Sequence, residues 1–186
     1  MRFLLRASLA ILLLAAILSA IAFLLPAAAH VERQALIRKP AEQIFPLVND
    51  FRQFNRWSPW ADYDPEAHYE FSGPASGVGA QMRWSSEHPN VGTGSQEITG
   101  SESNRRVDVS LDFGAQGTAK AYYLLTDTDQ GTLVTWAFDT DLGNNPVARY
   151  MGLLFDRWIG KDYERGLARL KAIAETGSLS QSAEQQ

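Results

Sequence analysis

Residues 38–60 read RKPAEQIFPLVNDFRQFNRWSPW, and two short helices follow from that segment. Pro40 suits the first turn of a helix, where a missing N–H is harmless, and Glu42 sits close behind it at the positive end of the helix dipole. Ile44, Phe45, Leu47, Val48 and Phe51 then recur at helical spacing. Pro46 falls early enough in that helix for its absent donor to matter little. A second short helix is expected from Phe51 to Trp57, closed by Ser58-Pro59 because the residue before a proline disfavours helical geometry.

Outward from this segment the chain reads as strands. On the N-terminal side His30–Arg38 (HVERQALIR) alternates imperfectly with a period of two, and Lys39-Pro40 stops it. On the C-terminal side His68–Gly73, Ala80–Ser86, a polar-surfaced Gly92–Ser101, and a cleanly alternating Arg105–Phe113 follow one another. Thr118–Asp127 and Thr132–Asp141 make a hairpin through Asp129-Gln130-Gly131. Such short connections imply antiparallel pairing. Asn144-Asn145-Pro146 opens a long helix, with Asn145 as N-cap and Pro146 at the first helical position. Val147, Met151, Leu154, Trp158, Leu167, Leu170 and Ile173 read as one apolar stripe, widened by Tyr150, Phe155 and Ile159, and Gly177 ends the helix. Gly152, Gly160 and Gly166 within it suggest close packing. Residues 176–186 have no apolar period and read as a disordered tail. The expected fold is α+β: a curved antiparallel sheet covered by one long helix.

The N-terminal 29 residues differ in kind. Ala7–Leu25 is apolar except for Ser8 and Ser19, and as a helix it would run about 28 Å, close to the ~30 Å hydrocarbon core of a bilayer. Pro26 ends it. Two readings fit: an N-terminal transmembrane anchor, or a secretory signal cleaved at Ala27-x-Ala29. The length of the run favours the anchor. Arg2 and Arg6 before the run are nearly balanced by Arg33, Arg38 and Lys39 after it; an N-terminal span with a short basic tail normally leaves the larger domain outside, so an extracytoplasmic domain is expected, secreted or periplasmic if cleaved. The expected division is thus 1–29 anchor or signal, 30–175 domain, 176–186 tail. The whole chain has a net charge of −4, and residues 30–186 carry 15 basic and 21 acidic residues, a net of −6. That balance disfavours a nucleic-acid partner. No cysteine is present, which excludes disulfides, thiolate catalysis and Cys-ligated metal.

The element order and the 38–60 segment resemble the START-like (SRPBCC) superfamily with its helix-grip (START/Bet v 1-like) fold, most closely its polyketide cyclase/dehydrase and lipid-transport branch. Pro40-Ala41-Glu42, Ile44-Phe45, Val48, Asp50 and Trp57-Ser58-Pro59-Trp60 carry the resemblance, with a strand ending near Asp139 and a long helix containing Trp158. It covers about residues 31–175. The resemblance implies an apolar pocket between sheet and helix, and the large side chains expected to line it are Trp57, Trp60, Phe71, Met82, Trp84, Trp136, Phe138, Met151, Phe155 and Trp158. Plain core is the competing reading for each, since aromatic rings also dominate ordinary interiors.

Catalytic chemistry has weaker support. Glu70, His68, His88, Asp112, Asp139, Asp141 and Arg83 are the titratable candidates, and alternation turns Asp139 outward if Trp136 and Phe138 face inward. No catalytic residue is assigned. The three histidines show no metal-binding spacing, and no nucleotide or nucleophile-elbow motif occurs, so neither metal nor cofactor is expected. Asp62, Asp64 and Glu66 read as a solvated loop. The function expected is a membrane-tethered domain that binds a hydrophobic small molecule of lipid or isoprenoid class without catalysis. A cyclase/dehydrase-type enzyme using the same pocket, and a protein-interaction module, are the alternatives.

Overall fold

The first strand of the domain, β1 (Ala28–Ile37), pairs antiparallel with the last, β7 (Gly131–Asp141), in a register that sets Val31 against Phe138 and Arg33 against Trp136. Between them the chain lays down β2 (His68–Ser72), β3 (Gln81–Ser85), β4 (Thr93–Glu102), β5 (Arg106–Asp112) and β6 (Thr118–Thr128). The sheet has seven strands in the order β1-β7-β6-β5-β4-β3-β2. A bulge between Ile98 and Gly100 adds curvature between β4 and β5. These are findings of a computed structural model that describes residues 2–177.

Two short helices, α2 (Ala41–Val48) and α3 (Phe51–Trp57), close one end of the sheet. Pro40 is the N-cap of α2 rather than its first helical residue. The Asp50 carboxylate caps α3 by accepting from the Arg52 N–H at 2.8 Å. Trp57 donates its indole N–H to the Leu47 carbonyl at 2.9 Å, which folds α3 back on α2. The long helix α4 spans Pro146–Thr176. Asn145 caps it, accepting from the N–H groups of Val147 and Ala148, and Gly177 ends it at φ 79°. Buried Ile37, Ile44, Trp57, Val134, Trp136, Leu167 and Leu170 form the common core of helix and sheet.

Two features lock α4 to β1. Arg33 donates to Asp156 at 2.8 Å and to Glu164 at 2.7 Å. A Cβ on Gly160 would stand 2.2 Å from the Arg33 guanidinium, so glycine is what lets strand and helix approach. Gly166 likewise admits the Trp136 ring, 2.7 Å from where its Cβ would lie.

The long apolar stripe read along α4 is not one stripe. Trp158 and Leu167 are nine residues apart, about two and a half turns at 3.6 residues per turn, so they point to opposite sides. Leu167, Leu170 and Ile173 are buried, whereas Val147, Met151, Leu154 and Trp158 are exposed. From Pro146 to Ile159 only Arg149 is buried.

The N-terminal segment also departs from expectation. Its helix α1 covers Arg2–Ala22 and ends short of Leu25. The described side chains of α1 run without a break only from Arg6 to Ala22, about 26 Å at the helical rise. Among the described residues no helix is long and apolar enough to cross a membrane, so the expected transmembrane helix is not found. Instead α1 is bonded to the start of α4. Arg149, 8% exposed, donates to the carbonyls of Ala22, Phe23 and Leu25 at the end of α1 and to that of Gly143, and Tyr150 donates to the Leu18 carbonyl at 2.9 Å. A cation there complements the negative end of the helix dipole. The expected tail lies, from residue 178 on, outside the described residues.

Candidate functional site

Curvature of the sheet leaves a cavity of about 340 Å³ between its inner face and the first half of α4, within the usual range of small-molecule sites. Strand alternation supplies the floor. Met82 on β3 pairs with Gln96 on β4, which pairs with Leu111 on β5, so all three project to the same side. Phe138 enters from β7, and Phe155, Ile159 and Tyr163 come from successive turns of α4. Phe54 and Trp60 close the end nearest α3. Exposed Pro89 and Asn90 before β4, Gln116 after β5 and Thr118 at the start of β6 rim the opening. Trp84 fixes that rim by donating its indole N–H to the Val91 carbonyl at 3.2 Å.

No Asp, Glu, His, Lys or Arg lines this cavity. Its titratable groups are two phenols. Burial pushes the pKa of both Tyr69 and Tyr163 upward, far from the range of a neutral-pH base. The charged candidates stand elsewhere. Glu70 pairs with His68 at 3.4 Å on an exposed strand, and Asp139 meets His30 at 2.7 Å outside the sheet, as alternation requires. His88 stacks on Tyr63, and Asp112 accepts from the Gly114 N–H. Asp141 accepts from the Gly143 N–H. Arg83 borders a wide concavity of about 570 Å³ with Glu70, Phe71 and Ser72, but these four residues give it no enclosing walls. In the acidic loop, Asp62 pairs with Arg169 and Asp64 accepts from Ser86, so both brace the fold. Among the described residues no cluster of His, Cys, Asp and Glu suits a metal ion.

Of the ten large side chains expected at a pocket, Trp60, Met82, Trp84, Phe138 and Phe155 wall the cavity. The other five are placed otherwise. Trp57 and Trp136 are core, 0% and 2% exposed, because they sit where helix and sheet are in direct contact. Trp136 stacks on Tyr163 with ring centroids 3.7 Å apart, and its indole N–H is buried with no acceptor among the described residues. Phe71 is covered by Arg52, 4.6 Å above its ring. Met151 and Trp158 lie on the outer side of α4, for the half-turn reason given above. The sequence reading missed Gln96, Ser58 and Tyr163 on the cavity wall. Gln96 shares parity with buried Ile98, which marked its side of the strand, and Tyr163 lies one helical turn past Ile159.

Solved structures of the same shape are numerous. A Staphylococcus aureus protein of unknown function, SA2116, matches with a TM-score of 0.61 at 10% identity, over 81% of this chain and 95% of that one. The di-domain ARO/CYC StfQ from the steffimycin biosynthetic pathway matches with a TM-score of 0.60 at 10% identity, over 80% of this chain and 51% of that one. The Aha1 dimer from Colwellia psychrerythraea matches with a TM-score of 0.54 at 16% identity, over 80% and 98%. At such identities the likeness is one of fold. No curated protein matches the sequence. The profile of one family matches residues 28–175, the whole of the sheet and all but the last turn's end of α4. With the helix-grip architecture around its cavity, the chain belongs to the polyketide cyclase / dehydrase and lipid transport family.

Proposed function

We propose that the domain binds one hydrophobic small molecule, of lipid or isoprenoid class, in the cavity under α4, and holds it without chemical change. The observation that carries this reading is the wall itself: about 340 Å³ with a floor and roof of aromatic and aliphatic side chains, interspersed with uncharged polar ones, and no Asp, Glu, His, Lys or Arg among them. Proton transfer needs a group of matched pKa within hydrogen-bond reach of the substrate, and the walls offer only phenols shifted upward by burial. Apolar burial, worth roughly 25 cal/mol per Å², supplies affinity.

The reading extends to a membrane tether through α1, with the domain on the extracytoplasmic side. Leu9, Leu12 and Leu13 of α1 are 68%, 67% and 62% exposed, an apolar surface that a bilayer would cover. Arg2, Arg6 and the terminal amine before it, against Arg33, Arg38 and Lys39 after it, leave the positive-inside count nearly balanced, and a short basic tail ahead of an N-terminal span supports this orientation. A tether of this kind raises the concentration of the cavity near lipid.

Native mass spectrometry with lipidomics on the full chain, purified from its host membranes, tests the binding. A lipid or terpenoid bound near one to one is expected. A reproducibly empty protein that also takes up no hydrophobic probe overturns it. For the tether, the chain should stay in the pellet on alkaline extraction, and release into the wash overturns it. A C-terminal fusion to an enzyme that folds only under oxidising conditions should be active, and inactivity overturns the orientation.

A further inference from the structure

The cavity is largely apolar, but three of its buried lining residues carry hydrogen-bonding side chains without strong partners among the described residues. Ser58, Tyr163 and Gln96 are 2%, 3% and 8% exposed, and all three line it. The Gln96 amide donates only to the Met82 thioether at 4.0 Å, a weak acceptor. Among the described residues, the Ser58 and Tyr163 hydroxyls bond to no protein group. Among the described residues the polar side-chain atom sealed off without a partner is the Trp136 indole N–H; neither hydroxyl is sealed in that way, and both residues border the cavity. Buried polar groups are normally hydrogen-bonded, and leaving one unmet is destabilising. Three such groups around one cavity call for a polar atom in what fills it, a water or the oxygen of a ligand.

We propose that Gln96, Ser58 and Tyr163 form a recognition site for the uncharged oxygen of a hydrophobic ligand, a hydroxyl or a ketone carbonyl, and that the cavity selects such ligands over hydrocarbons and over anions of equal chain length. The chemistry sorts itself by charge. A carboxylate or phosphate would enter a space with no cation on its walls, and an unpaired buried charge is far costlier than a dipole. A bare hydrocarbon would leave the amide and both hydroxyls unmet. A hydroxyl can both donate to the Gln96 carbonyl oxygen and accept from the Tyr163 phenol, and a ketone can accept from the Gln96 amide N–H or the Tyr163 phenol.

This rests on the hydrophobic-ligand reading above, and the test separates the two. The full chain in detergent micelles is incubated with dodecan-1-ol, dodecan-2-one, dodecanoate or dodecane, and occupancy is counted by native mass spectrometry. Micelle partitioning is common to wild type and variants, so it cancels in their ratio. The alcohol and ketone are expected to bind about tenfold more tightly than the hydrocarbon, the equivalent of one to two net hydrogen bonds. Gln96→Leu, Tyr163→Phe and Ser58→Ala should each reduce that preference about threefold or more while leaving dodecane binding intact. Three separate sites guard against one variant failing to fold. Equal binding of alcohol and hydrocarbon, a preference for dodecanoate, or a preference unmoved by all three substitutions overturns this proposal while hydrophobic binding stands. Binding of none of the four overturns both.

Discussion

Tyr163 joins the core to the cavity: its ring stacks on Trp136 and the residue also lines the void. Burial raises its pKa above the ordinary phenol value, with Asp139 adding to the shift, and burial raises Tyr123 too. A group whose pKa is higher folded than unfolded stabilises the fold fully below the unfolded value. That contribution is lost as pH climbs toward the folded one. Stability should therefore fall once pH passes about 10. Tyr163→Phe should flatten the fall without abolishing it, because Tyr123 still titrates. Urea denaturation midpoints between about pH 8 and 11 check this, and equal slopes for wild type and variant would refute it. Single residues were the least legible level of the sequence. Parity along β7 turned Asp139 outward correctly, but parity cannot say whether an inward ring meets another ring or a void. Trp136 and Phe138 share a face of one strand, and only the path of α4 above them makes the first core and the second wall.

Elements were more legible, because their signals are local. Asn145-Pro146 and Gly177 bound α4 as their capping chemistry requires, and the hairpin between β6 and β7 turns at Asp129-Gln130. The glycines of α4 show how a packing partner overrides propensity. Ala at position 166 would gain about 1 kcal/mol of helix propensity. Its Cβ would meet Trp136, which is fully packed, and also the Pro59 ring at 3.1 Å. Gly166→Ala should destabilise the fold by about 1–2 kcal/mol net, since overpacking a rigid site outweighs the helical gain. A thermal melt shows the sign directly, and a raised melting temperature would contradict the packing account. What the element scale hid was rotation. Two apolar runs of α4 fit one period only if the half-turn between Trp158 and Leu167 goes unnoticed, and an exposed run beside an apolar α1 mimics a buried one in composition.

At the scale of the whole molecule, the layer order follows from the element order and short connections, and the family profile covers the same residues, whereas the pairing of β1 with β7 joins the two strands farthest apart in sequence and has no local signal. The size of the void did not follow, since it depends on the curvature that the Ile98–Gly100 bulge gives the sheet. Stability should be uneven across this assembly. Amides of residues 160–173, where helix meets sheet, are expected to exchange hydrogen more slowly than those of residues 147–159, which have little burial. Exchange followed by mass spectrometry checks the order, and uniform protection along α4 would refute it.

The weakly held half of α4 is also the cavity's roof. If the cavity holds a ligand as proposed, lifting of that half would widen the way out, so residence time is expected to depend on the helix's start as well as on the rimmed opening. Arg149 touches no part of the cavity, yet it fastens that start to the end of α1. Replacing it, as in Arg149→Met, should shorten the stay of dodecan-1-ol more than it slows its uptake, and stopped-flow release from the full chain would measure it. On that expectation a contact made at the base of the N-terminal helix would set how long a ligand stays.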